Sequence, residues 1–249
     1  MGISAVIIVH NEERNIAGCL ASIDFADEIV VVDSGSTDGT EAICRAHPKV
    51  RFHTNPWEGF GPQKNRAVDL ACHEWIFSID ADERVSPELA TEVARVAAQA
   101  DCDGYLVRRR NFYRGQWVRH SGWWPDEVLR LFRKEKGRFN NRLVHEAVEV
   151  QGAIGTLEGC IDHSSFRSAS DFLAKAQSYS SIGADQLMAA GRRTTPGMAL
   201  GRSLFAFIKA YVLRAGFLDG RVGLLIAYSN AVGVFYRYMK RLEMDDPDA

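Results

Sequence analysis

Short apolar runs separated by helical spacing set the rhythm of the first hundred residues. Residues 6–9 (Val-Ile-Ile-Val), 29–32 (Ile-Val-Val-Val) and 75–79 (Trp-Ile-Phe-Ser-Ile) are apolar almost throughout, and 50–53 adds a fourth, mixed run. Runs of this length read as buried strands. Between them, Ile16, Leu20 and Ile23 share one helical face behind Asn11-Glu12-Glu13, which is expected to open the helix. Asp38-Gly39-Thr40 leads into a second helix with Ile43 inward. Pro62 suits the first turn of a third helix over 62–71, and Ser86-Pro87-Glu88 combines a cap, an N1 proline and a dipole-complementing acid. Strands alternating with such helices predict an α/β fold, a mostly parallel sheet with right-handed crossovers.

After residue 100 the pattern changes. Residues 104–109, 117–120 and 128–132 read as strands broken by Gly and Asn turns, an antiparallel extension of the sheet. Residues 168–190 place Phe172, Ala176, Tyr179, Ile182 and Leu187 at helical spacing, and 198–218 and 222–239 are expected to be two further helices. The longest uncharged run of that tail, Val222 to Tyr236, is shorter than the ~20 residues that cross a bilayer. Basic residues and tyrosines recur among its apolar ones, which suits helices lying in a membrane interface. A buried hairpin against the body or a second subunit is the alternative, so a homo-oligomer stays open. The expected organisation is a catalytic domain over 1–167, with halves 1–100 and 101–167 facing donor and acceptor, then a helical extension over 168–249.

Charge sharpens this division. The chain carries −2 overall, which gives no reason to expect nucleic acid as a partner. From Arg192 to Arg241, however, nine Lys and Arg face one acid, Asp219, a net of +8, so the remainder carries −10. A cationic apolar tail on an acidic body predicts contact with an anionic membrane surface. Five scattered cysteines without a CxxC pair argue against a disulfide framework or a zinc site. With no basic leader region before Ile3, the expected location is cytoplasmic, peripherally associated with the inner membrane.

The chemistry gathers where apolar runs stop at acids. Asp33-Ser34-Gly35-Ser36-Thr37-Asp38-Gly39-Thr40 follows one strand and Asp80-Ala81-Asp82-Glu83 follows another. Ligands of open α/β sheets bind at the carboxyl ends of the strands. Asp33 could hydrogen-bond a nucleobase or ribose while its small neighbours let the ligand approach; it could equally be an ordinary turn residue. Alternation puts Asp80 and Asp82 on one side of an extended segment, where oxygen ligands suit a divalent cation. The bland reading of that cluster is a solvated loop.

Taken in order, Val6-Ile7-Ile8-Val9-His10-Asn11-Glu12, the DSGSTDGT turn, Gly61-Pro62-Gln63-Lys64-Asn65-Arg66-Ala67 and the DADE cluster resemble a family 2 glycosyltransferase of the GT-A fold. Arg130-Leu131-Phe132-Arg133 and Val144-His145-Glu146 are similar to one branch, the bacterial lipopolysaccharide core transferases that add glucose to heptose. The resemblance implies an inverting, metal-dependent hexosyltransferase with a nucleotide-diphosphate sugar donor, expected to be UDP-glucose, and Mg²⁺ or Mn²⁺ as cofactor. It implies that His10, Asn11, Glu12, Asp33 and Ser34 contact the nucleoside, Lys64 and Arg66 the ribose or pyrophosphate, Asp80 and Ala81 the ribose side, and Asp82 the metal. Many relatives have a second aspartate where this chain has Ser34, which weakens the inference about the base.

An incoming hydroxyl must lose its proton to a carboxylate, and Glu146 is the candidate general base. His145 would orient the acceptor or act as a hydrogen-bonded structural group. Trp123 and Trp124 could stack on the acceptor sugar, or serve as core anchors. Arg108, Arg109, Arg110, Arg114 and Arg119 could meet acceptor phosphates, or form an internally paired face. The acceptor expected from the resemblance and the tail is a lipid-linked glycan. Transfer to a polyprenyl phosphate and a non-catalytic nucleotide-sugar-binding module are the competing readings.

Overall fold

The structure, a computed structural model, describes residues 2–99, 101–140 and 147–245. Strand β1 (Ile3–Val9), helix α1 (Ile16–Ser22), β2 (Glu28–Asp33), α2 (Thr40–Ala46), β3 (Val50–Thr54), α3 (Phe60–Leu70) and β4 (Trp75–Ser78) follow the expected alternation. α4 (Pro87–Gln99) continues it, after a short strand β5 (Glu83–Val85) that the sequence pattern did not predict. Then come β6 (Gly104–Tyr113), β7 (Gln116–Trp117), β8 (Glu127–Arg133), β9 (Gly137–Phe139), β10 (Val148–Val150) and β11 (Ile154–Phe166). The chain ends in α5 (Ala169–Ala189), α6 (Pro196–Ile208) and α7 (Arg221–Glu243).

The main sheet has the order β3-β2-β1-β4-β8-β6-β11-β5, and β9 and β10 form a separate two-stranded ribbon. β1, β2, β3 and β4 are parallel, whereas β8 runs antiparallel to both β4 and β6. The sheet is therefore mixed, parallel where the sequence alternates strand and helix and antiparallel beyond it.

Burial on both faces explains the unbroken apolar runs. Ile3, Ala5, Ile7 and Val9 of β1, with Ile29 and Val31 of β2, pack with Ile16 and Leu20 of α1 and Leu89 and Val93 of α4. Val6, Val30 and Val32 point the other way, onto Ala67 and Val68 of α3. With both faces covered, the strand ends are the surface left for ligands.

The chain divides into two compact units, residues 1–109 with 126–163, and residues 110–125 with 164–249. In the second unit, α7 packs against α5 and α6. Tyr113, Val118, Phe172 and Ile226 form its core, with Trp123 and Phe166 alongside. Ser168 and Asp171 form a capping box at the start of α5, and Thr195 caps α6.

Three expectations need correction. Asn11-Glu12-Glu13 does not open a helix: Asn11 has φ 57°, and α1 begins only at Ile16. Residues 117–120 are not a strand beyond Trp117, because the Arg119 and His120 amides donate to the Asp219 carboxylate at 3.2 and 2.8 Å instead of to a ladder. Residues 198–218 are not one helix. α6 gives way to a π-helical turn at Lys209–Leu213, Ala215 adopts φ 51°, and a 3₁₀ turn follows at Gly216–Asp219. Gly216 packs so closely that a Cβ there would lie 2.4 Å from Ser121 Oγ and 2.7 Å from Ala210 O, which holds the break in place.

Candidate active site

Three strands of the first unit deliver the candidate residues from their carboxyl ends: β1 leads to residues 10–12, β2 ends at Asp33, and β4 leads to residues 80–82. β1 lies between β2 and β4, so the three loops are neighbours at one edge of the sheet. The first two are laced together. Thr37 N donates to Asn11 Oδ1 at 2.8 Å, Asn11 N to Ser36 Oγ at 2.8 Å, and Glu12 N to Thr40 Oγ1 at 2.8 Å. Asn11 has a left-handed backbone, which asparagine adopts more readily than most other non-glycine residues, and this turns its amide side chain to the neighbouring loop.

Asp33 is buried, and its Oδ2 accepts the amides of Gly35 and Ser36, both at 2.9 Å. Ser36 Oγ donates to its other oxygen. Ser34 donates to Val9 O through both its amide and its hydroxyl. The structure thus shows Asp33 and Ser34 organising the turn itself. His10 stays exposed, with Nε2 3.4 Å from Asn11 Nδ2, while Glu12 Oε2 accepts from Asn15 Nδ2 at 2.6 Å.

The charged centre lies beyond β4. Asp80 Oδ1 is 3.0 Å from Lys64 Nζ, and Oδ2 accepts from Arg130 Nη2 at 2.8 Å. Burial would push the Asp80 carboxyl up, but Lys64 and Arg130 outweigh it and hold it well below the usual range. Arg130 also donates to Glu83, which is fully buried and accepts the Asp80 amide at 3.0 Å. For Arg130, burial opposes the charge, yet Glu83 and Asp80 raise its pKa. Arg109 extends the network, 3.3 Å from Glu83 and 2.9 Å from Asp126. Lys64 and Arg130 are almost wholly buried, whereas Arg66, on the same helix as Lys64, is exposed.

Asp82 is held differently. Its Oδ2 lies 3.4 Å from His163 Nε2. Burial raises its pKa, but the His163 hydrogen bond and charge prevail and lower it. Antiparallel pairing of β11 with β5 sets His163 opposite Glu83 and brings it to Asp82 across eighty residues of chain. Both oxygens of Asp80 face cations, so Asp82 and His163 are the pair suited to a divalent ion. An oxygen and a nitrogen donor together favour Mn²⁺ over Mg²⁺, which strongly prefers oxygen. Among the described residues, no group of three or more His, Cys, Asp or Glu side chains gathers as a complete metal set. A bound ion would need donors beyond these two.

The structure brings Lys64, Asp80, Ala81 and Asp82 together and sets residues 10–12 and 33–34 on adjoining loops. Glu146 and His145 lie outside the described residues. Trp123 and Trp124 belong to the second unit. Trp123 packs on Phe166 and Phe172, with ring centroids 5.4 and 6.1 Å away, and Trp124 meets Trp117 edge-on at 5.2 Å. Arg108 and Arg109 are paired with Glu127, and with Glu83 and Asp126, the internally paired reading of that run. Sequence reasoning missed the roles of Arg130, Glu83 and His163. Arg130 and Glu83 stood inside recognised motifs, whereas nothing in the spacing of His163 marks it.

Comparison with known proteins decides the family. The family model for glycosyl transferase family 2 matches residues 4–157. The chain belongs to glycosyl transferase family 2. The lipopolysaccharide core biosynthesis glycosyltransferase LpsC of Rhizobium meliloti is 30% identical to this transferase over 266 residues, covering 99% of this chain and 97% of LpsC. The glycosyltransferase RT0209 of Rickettsia typhi is 30% identical over 255 residues, covering 97% of this chain and 87% of that one. Among solved structures, S. aureus TarS residues 1–349 in complex with UDP-GlcNAc matches with a TM-score of 0.52 over 99% of this chain and 92% of TarS, at 17% identity. That likeness supports the fold alone, and the transferase has the GT-A architecture its sequence motifs resemble.

Proposed function

We propose that this transferase moves a hexose, glucose from UDP-glucose, with inversion onto a lipid-linked glycan, the heptose of a lipopolysaccharide inner core. The reading rests on one observation: buried Lys64 and the Asp82–His163 pair converge beside Asp80 at strand ends, in a family 2 chain similar to LpsC along its whole length. Acceptance of a membrane-anchored glycan places the work at the cytoplasmic face of the inner membrane.

In this reading, residues 10–12 with the turn at 33–34 shape the nucleoside site, and Arg66 and Lys64 face the diphosphate. Asp80 keeps Lys64 and Arg130 in place while its own charge is neutralised. Asp82 and His163 would contribute two donors to a divalent cation, whose charge would offset that developing on the departing diphosphate. Glu146 accepts the proton of the attacking hydroxyl, a contribution of roughly 10²–10⁴-fold to the rate. His145 orients the acceptor.

The test measures UDP release from UDP-glucose with truncated core acceptor and Mn²⁺, comparing wild type with Asp82→Ala, His163→Ala and Glu146→Gln. Each variant is expected to lose at least about a hundredfold in kcat, and Glu146→Gln alone should retain Mn²⁺-dependent donor binding. Full turnover in Asp82→Ala and Glu146→Gln would remove the site assignment. A glycolipid monophosphate product would instead show a polyprenyl phosphate as acceptor. Donor binding without turnover on any acceptor would make the protein a binding module.

A further inference from the structure

Helix α6 packs against α7 in an inverted manner. It buries small residues: Ala199 and Ala210, just past its end, are almost inaccessible, and Ser203 Oγ donates to Ala231 O of α7 at 2.9 Å. Its large apolar residues point out. Leu200 and Leu204 lie one turn apart at 64% and 61% exposure, with Phe205 beside them. The π-helical and 3₁₀ turns carry the pattern on through Leu213 and Leu218. An amphipathic helix in a water-soluble bundle does the reverse, burying Leu and Phe. Contiguous exposed apolar surface of this kind marks a binding surface.

Charge selects the occupant. Arg192, Arg193, Arg202, Lys209, Arg214 and Arg221 are all exposed along the same segment. Its single acid, Asp219, is buried and accepts from the His120 and Arg119 amides. A second copy laid on this face would oppose cation to cation. An anionic lipid surface complements both features, since headgroups meet the basic side chains while acyl chains receive the leucines. No helix among the described residues is long and apolar enough to cross a membrane, so the face would lie in the plane of the interface.

We propose that the outer face of α6 and the two turns after it is an interfacial membrane-docking surface for anionic phospholipid, inserting Leu200, Leu204, Phe205, Leu213 and Leu218. The proposal deepens the lipid-linked acceptor reading but is tested without donor or acceptor, so the two can fail separately.

The experiment is co-sedimentation of the full chain with vesicles of phosphatidylglycerol and phosphatidylethanolamine, and with vesicles of phosphatidylcholine alone, at about 0.1 M salt. The wild type should pellet with the anionic vesicles at least about tenfold more tightly than with the neutral ones. Leu204→Glu/Phe205→Glu should weaken that binding about tenfold or more while leaving the circular dichroism spectrum unchanged. Arg202→Glu/Lys209→Glu should remove the preference for anionic lipid. Failure to pellet with either vesicle, or unchanged binding in Leu204→Glu/Phe205→Glu, overturns the proposal. So does a stable dimer in sedimentation velocity that this double variant dissociates, because the face then belongs to a second copy.

Discussion

Arg130 is 5% exposed and lies between two carboxylates, one of which, Glu83, is inaccessible to solvent. A buried charge is costly unless its partners are in place, and removing one side of a buried pair typically costs about 3–5 kcal/mol. Arg130→Met should therefore destabilise the protein by about 3 kcal/mol in urea unfolding, towards the lower bound because Lys64 still faces Asp80 and Arg109 still faces Glu83. Arg130→Met/Glu83→Gln should recover part of that loss. A single-variant cost below about 1 kcal/mol would mean that water already screens the site. Glu28 offers a pH-dependent counterpart. Burial pushes its carboxyl up, but the Cys72 amide, Ser4 hydroxyl and Arg51 outweigh this and lower it from 4.5 to about 2. A carboxyl lowered on folding contributes stability that is fully present above its unfolded pKa and is lost as pH falls through the folded value of about 2. Glu28→Gln should accordingly flatten the acid limb of the stability curve below about pH 5, with a total on the order of 2 kcal/mol once screening of the half-exposed Arg51 is allowed for. An unchanged slope would show that Glu28 keeps its interactions in the unfolded chain.

β11 carries His163 yet leaves almost no trace in the sequence. Its thirteen residues alternate poorly, hold two glycines and present mostly polar side chains. Gly159 is nevertheless required by packing: a Cβ there would lie 2.5 Å from Leu89 Cα and 2.7 Å from Leu89 N, in backbone that cannot rotate away. Gly159→Val should force β11 off α4 at a cost of about 1–3 kcal/mol. It should also weaken Mn²⁺ binding through displaced His163, which isothermal titration would measure; unchanged affinity would uncouple the strand from the site. Legibility follows the same physics. β1, β2 and β4 were readable because both their faces are buried, and α4 because Pro87 and Glu88 mark its start. Residues 118–120 and 214–220 were not, since their geometry depends on Asp219 and Gly216, partners about a hundred residues away or on a neighbouring turn. At the site, Asp80 and Asp82 were legible as a cluster at a strand end. The ion pairs that separate their tasks come from β8 and β11, which local pattern could not place beside them.

Charge is distributed unequally over the whole molecule. The second unit contains 14 Lys and Arg against 7 Asp and Glu, a net of +7, which leaves −9 in the first unit of a chain carrying −2. An anionic membrane would attract the one unit and repel the other. Such forces act over a screening length of about 10 Å at 0.1 M salt and shrink to about 3 Å at 1 M. Hydrophobic insertion hardly weakens over that range, and neither do buried charges paired as Lys64 and Arg130 are, both to Asp80. Transfer to acceptor embedded in phosphatidylglycerol vesicles should thus fall about fivefold or more between about 0.05 and 0.5 M salt. Transfer to the same acceptor in neutral detergent micelles should change by less than about twofold. Parallel losses on both acceptors would move the salt-sensitive step from membrane capture to donor binding, where exposed Arg66 is the cation most open to screening.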